Sequence, residues 1–115
     1  MKRVILYSDN SNLLALLHTL LIPGGAAIVE VKSRKALAQR CMCTHFDKII
    51  TDDVRMFLNG SNLLDTIRSS GARPHIFILS TDISEHSVLS LLEEGVTEFL
   101  TLPIGVERLQ KKLLK

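Results

Sequence analysis

Five short apolar runs punctuate this chain, and three of them are apolar at nearly every position: Val4-Ile5-Leu6-Tyr7, Ile49-Ile50 after Lys48, and Ile76-Phe77-Ile78-Leu79. A strand with one wet face alternates apolar and polar residues, so a continuous apolar run has to be covered on both sides. A parallel sheet between two helical layers meets that condition, and the segments between the runs supply the helices.

In order, Arg3 to Tyr7 reads as a first strand, closed by Ser8-Asp9-Asn10-Ser11, which is turn and N-cap chemistry. Leu13, Leu14, Leu16, Leu17, Leu20 and Leu21 follow one helical face, ended by Pro23-Gly24-Gly25. Ala26 to Val31 is the second strand, and Ser33 caps a helix whose apolar residues are Ala36, Leu37, Ala38, Cys41 and Met42, stopping near His45. Lys48 to Asp52 is the third strand. A loop through Asn59-Gly60 leads to a helix with Leu63, Leu64 and Ile67, terminated around Ser70-Gly71. His75 to Ser80 is the fourth strand, and Asp82-Ile83-Ser84-Glu85 fits a capping box opening a fourth helix that runs to Gly95. Glu98 to Thr101 is a fifth strand and Val106 to Leu114 a last amphipathic helix. Regular alternation of this kind predicts an α/β domain with a doubly wound parallel sheet and right-handed crossovers, spanning 1–115 as a single unit.

Composition narrows the function classes. At 115 residues, 46% hydrophobic and 23% charged, the chain has enough apolar material for one core and is not of disordered type. No apolar run approaches the ~18 residues of a membrane span, and Val4 to Tyr7 is too short for a signal-peptide core, so a cytoplasmic protein without membrane contact is expected. A net charge of +2, scattered Lys and Arg, one Tyr and no Trp argue against direct nucleic-acid binding. Cys41 and Cys43 lie two apart on a helix and do not face each other, which predicts reduced, structural thiols. The four histidines, His18, His45, His75 and His86, show no metal-ligand spacing.

In a doubly wound sheet, ligands bind beyond the carboxyl ends of the strands. The residues to inspect are therefore Ser8-Asp9, Asp52-Asp53, Ser80-Thr81 and Thr101-Leu102. Two carboxylate-bearing strand ends, a hydroxyl-bearing end and a terminal strand before Pro103 resemble the receiver domain of two-component response regulators, over essentially the whole chain. Asp9 fits the second member of that family's acidic pair, with Ser8 in place of the first. Phe46-Asp47-Lys48-Ile49-Ile50-Thr51-Asp52 resembles the approach to the phospho-accepting aspartate, and the family's glycine eight residues later falls on Gly60. Val54-Arg55-Met56 favours Asp53 as acceptor instead; the two distances, upstream and downstream, favour Asp52. Ser80 lies fifteen residues before Gly95, which matches the strand-four hydroxyl, and Phe99 stands where a switch aromatic often sits.

The resemblance implies a flavodoxin-like fold with strand order 2-1-3-4-5. It implies that Asp52 takes a phosphoryl group from a sensor histidine kinase or phosphotransfer protein. Mg²⁺ would be held by Asp9, Asp52 and the Val54 carbonyl, with Ser80 bonding a phosphoryl oxygen. Phe99 would then couple the site to the surface of the fourth helix and fifth strand. No enzymatic activity is expected beyond phosphorylation and dephosphorylation of its own aspartate.

The chain departs from the pattern in two places that bear on this chemistry. Leu102 stands where the family has a lysine, and Ser8 removes one carboxylate. The loop also has Met56-Phe57 where a proline is common. The rival expectation is accordingly a pseudo-receiver of the same fold, a protein–protein interaction module that works without phosphate. A third is a small flavodoxin-like enzyme or ligand-binding domain using the same acids. Taken singly, Asp9 and Asp52 are also what helix and turn caps look like. The chain is expected to act as a monomer or weak homodimer, either alone or as a piece of a longer protein.

Overall fold

The computed structural model describes residues 2–53, 71, 74–80, 98–101 and 105–114. Five parallel strands form one sheet in the order β2-β1-β3-β4-β5, with β1 at Arg3–Tyr7, β2 at Ala27–Val31, β3 at Lys48–Thr51, β4 at His75–Ser80 and β5 at Glu98–Thr101. Helix α1 covers Ser11–Leu21, α2 covers Arg34–Cys43, and α3 denotes Val106–Leu113. The expected helices around 63–70 and 82–95 lie outside the described residues, as do Val54, Gly60 and Leu102.

The pleat sorts each strand onto two cores. Ile5, Tyr7, Val31, Ile49, Ile76 and Ile78 meet Leu37 and Cys41 of α2, and Phe99 packs against this cluster half-buried. Val4, Leu6, Ile50, Phe77, Leu79 and Leu100 meet Leu14, Leu17, Leu20 and Leu21 of α1 and Leu109 and Leu113 of α3. Successive side chains of a strand point to opposite faces, so both sets have to be apolar, and this is why the strands read as continuous runs.

Local chemistry sets the ends. Asn10 is the N-cap of α1, its side-chain oxygen accepting the N–H groups of Asn12 and Leu13. Ser33 caps α2 by accepting from the Ala36 N–H. After α1 a 3₁₀ turn, Ile22–Gly24, leads to Gly25 at φ +67°, a left-handed conformation natural to glycine. A Cβ on Gly24 would come within 2.8 Å of the end of the Leu114 side chain, which would have to shift to admit it.

Two expectations are corrected. Met42 is 64% exposed, not on the buried face of α2. Cys41 is a core thiol whose pKa burial pushes up to about 11, whereas Cys43 is exposed and holds no structural place. Lys48 is a surprise of the opposite sign. It is buried, its ammonium donating to the Leu113 carbonyl at the end of α3 and lying 5.9 Å from the Phe77 ring centre. Burial pushes its pKa down, and the carbonyl and ring face compensate the charge.

Candidate functional site at the carboxyl rim of the sheet

Register builds the site. Tyr7 lies level with Val31 on one side and Thr51 on the other, so Ser8, Lys32 and Asp52 leave the sheet side by side. Thr51 is level with Ile78, and Ser80 with Thr101 further along the rim. Among the described residues, a cleft of about 300 Å³ is lined by Tyr7, Ser8, Asp9, Lys32, Asp52 and Asp53. Asp9 and Asp52 therefore share one cavity.

The two neighbouring acids differ in their partners. The Asp53 carboxylate accepts from the Tyr7 hydroxyl at 3.0 Å and from Arg34 Nε and Nη2 at 2.9 and 3.3 Å. Its own N–H donates to Thr51 Oγ1 at 3.0 Å. This bidentate clamp ties β1, β3 and the first turn of α2 together. Burial raises the Tyr7 phenol above its ordinary pKa, and the bond to the Asp53 carboxylate adds to the effect. Asp52 stands half-buried with no hydrogen bond or ion pair among the described residues.

Ser8 is 2% exposed, and its hydroxyl accepts the Asn10 N–H at 3.0 Å. It thus fixes the turn that carries Asp9 and starts α1. Ser80 is half-buried at the end of β4. Phe99 belongs partly to the α2-side core and partly lines a second cleft of about 400 Å³ along β5 and α3, with Glu98, Thr101, Arg108 and Lys112.

The donor set fits a hard divalent cation. Mg²⁺ usually takes one or two carboxylates and keeps several waters, and Asp9 and Asp52 supply two oxygen-bearing groups to one cleft. No group of three or more His, Cys, Asp or Glu capable of holding a metal occurs among the described residues.

Sequence reasoning missed three participants. Lys32 directly follows β2, where no acid marks the strand end. Tyr7 looks in the sequence like a strand residue only. Arg34 is polar in a first turn, and nothing in its local pattern marks it as a partner for an acid nineteen residues away.

Residues 4–114 match the profile of the response regulator receiver domain. The chain belongs to that family. The receiver is 29% identical over 118 residues to the sensor protein GacS of Pseudomonas syringae pv. syringae, an alignment covering 98% of this chain and 13% of that protein. It spans a similarly small part, 13%, of the sensor histidine kinase GacS of Pseudomonas protegens, at 27% identity over 98% of this chain. Its fold superimposes with a TM-score of 0.80 on the chemotaxis response regulator CheY4 of Vibrio cholerae, at 22% identity over 98% of this chain and 96% of that one. It also superimposes, with a TM-score of 0.75 and 21% identity over 97% and 93%, on the receiver domain of a Pseudomonas aeruginosa sensor histidine kinase whose structure has a magnesium ion coordinated in its active-site cleft. The flavodoxin-like fold and the two-component family are thereby established for this receiver. No helix among the described residues is long and apolar enough to cross a membrane.

Proposed function

We propose that this receiver accepts a phosphoryl group on the Asp52 carboxylate, from a histidine of a sensor kinase or phosphotransfer protein. The observation that carries the reading is the division of labour at the end of β3. Both line the cleft with Asp9, but Asp53 is engaged by Tyr7 and Arg34, while Asp52 has no hydrogen bond or ion pair among the described residues. A carboxylate already holding a bidentate guanidinium is a poor nucleophile, and its neighbour is not so encumbered.

In the transfer, an Asp52 carboxylate oxygen attacks phosphorus in line. The P–N bond of the phosphohistidine breaks, its electron pair going to the imidazole nitrogen, and an acyl phosphate forms. Mg²⁺ bound by Asp9 and Asp52 would offset the charge on the phosphoryl oxygens, with the Val54 carbonyl as a third donor. The Ser80 hydroxyl would donate to one of those oxygens. Its movement would let Phe99 turn into the core, altering the surface of β5 and of residues 82–95 that a partner reads.

The test is incubation with Mg²⁺ and acetyl phosphate followed by mass spectrometry. The expected outcome is one added phosphoryl group on the wild type and on Asp53→Asn, and none on Asp52→Asn. Labelling of Asp52→Asn but not of Asp53→Asn would move the acceptor by one residue. A second reading, a receiver that works as an interaction module without phosphate, draws on Leu102 and on Ser8, whose hydroxyl is spent on the turn. A wild type that remains unlabelled and takes up no Mg²⁺ selects it.

A further inference from the structure

The end of β2 brings a cation to the cleft. Val31, Tyr7 and Thr51 are level across three adjacent strands, which sets Lys32 beside Ser8, with Asp52 on the other side of Ser8. Lys32 lines the cleft with Asp9, Asp52 and Asp53, and among the described residues it is the lysine or arginine that does so. Arg34, two positions on, is committed to Asp53. Lys32 itself is exposed and makes no hydrogen bond or ion pair among the described residues.

Charge counting gives this ammonium a task. Phosphorylated Asp52 carries about −1.5 to −2 charges in a cavity that also holds the Asp9 carboxylate. One divalent cation does not neutralise that sum, and the side chain at position 102 is a leucine. An ammonium on a flexible four-carbon stem, with three donors, suits an oxygen whose position is fixed by other groups. We propose that Lys32 is a phosphoryl-binding residue of this site, supplying from the end of β2 the positive charge that Leu102 does not supply after β5. The proposal depends on the phosphoryl-acceptor reading above. A solvated strand-end lysine, the ordinary fate of such a residue, would bond no ligand at all.

Beryllofluoride, added with Mg²⁺ to the full chain, separates the cases in calorimetric titrations. At saturating Mg²⁺, Lys32→Gln is expected to weaken beryllofluoride binding at least about tenfold, the effect of one charge-assisted hydrogen bond. Mg²⁺ affinity in the same variant is expected to hold or to tighten, because a neighbouring positive charge has been removed. Lys32→Arg should recover part of the loss. Lys35→Gln, at an exposed position in the first turn of α2 that does not line the cleft, should match the wild type. Wild-type beryllofluoride affinity in Lys32→Gln overturns the proposal. Equal loss of Mg²⁺ and beryllofluoride also overturns it, since that marks general damage to the cleft. A wild type that binds no beryllofluoride at all overturns the acceptor reading itself and the proposal with it, a result distinct from the other two.

Discussion

Asp53 would pass in the sequence for a second copy of Asp52, yet the two have different chemistry because of what reaches them. Tyr7 and Arg34 come from β1 and α2, so nothing within a few residues of Asp53 announces them. Tyr7 is the chain's one tyrosine and there is no tryptophan, so phenolate absorbance reports this site alone. Its midpoint is expected above the ordinary tyrosine value of 10.0, and lower in Asp53→Asn than in the wild type. The sign for stability follows. A phenol whose folded pKa is raised contributes stability that is fully present below its unfolded pKa. That contribution is lost as pH rises through the folded one, so wild-type urea midpoints should fall on the alkaline side of pH 10 more steeply than those of Tyr7→Phe. Arg34 is half exposed, and removing the clamp by Arg34→Ala should cost at most about 1 kcal/mol in the same assay.

At the level of elements, the caps and the strands were legible because their causes are local. Asn10 and Ser33 are short polar side chains placed just ahead of apolar periodicity, and β4 and β5 begin and end as their runs do. The buried face of α2 was less legible. Five residues from Leu37 is about 140° around a helix, so Met42 cannot share a narrow stripe with Leu37 and Cys41. Only the width of the sheet beneath α2 decides how far its apolar face extends, and that is a tertiary quantity. Leu37→Ala is expected to cost about 2–5 kcal/mol, whereas Met42→Ala should stay within about 0.5 kcal/mol, both by urea denaturation. Lys48 escaped notice for a related reason. A lysine opening an apolar run reads as a solvated strand start until α3 brings the Leu113 carbonyl over it.

For the molecule as a whole, the sheet order and the shared cleft of Asp9 and Asp52 were accessible to reasoning, because alternation and adjacency of strands follow from topology. Clustering acids at one rim sets binding against stability. Without metal, Asp52→Asn should unfold at a higher temperature than the wild type at low salt, since a carboxylate beside Asp9 and Asp53 has been neutralised. With Mg²⁺ at a hundred times its Kd, the wild type should gain about 2.7 kcal/mol by mass action, and Asp9→Asn should gain far less. Differential scanning calorimetry with and without the ion reads both.

The fastening of α3 has a mechanical consequence. Lys48 holds the Leu113 carbonyl, Lys112 pairs with Glu98 at 2.6 Å, and Gln110 donates to the Leu20 carbonyl at 3.2 Å. All three attachments sit in the second half of the helix, at the foot of the strands. The opposite end, at Gly105 and the exposed Val106, faces the rim where the carboxylates lie. Polar attachment is thus confined to the foot of α3, and toward the cleft the helix is held by the apolar contact of Leu109 alone among its buried residues.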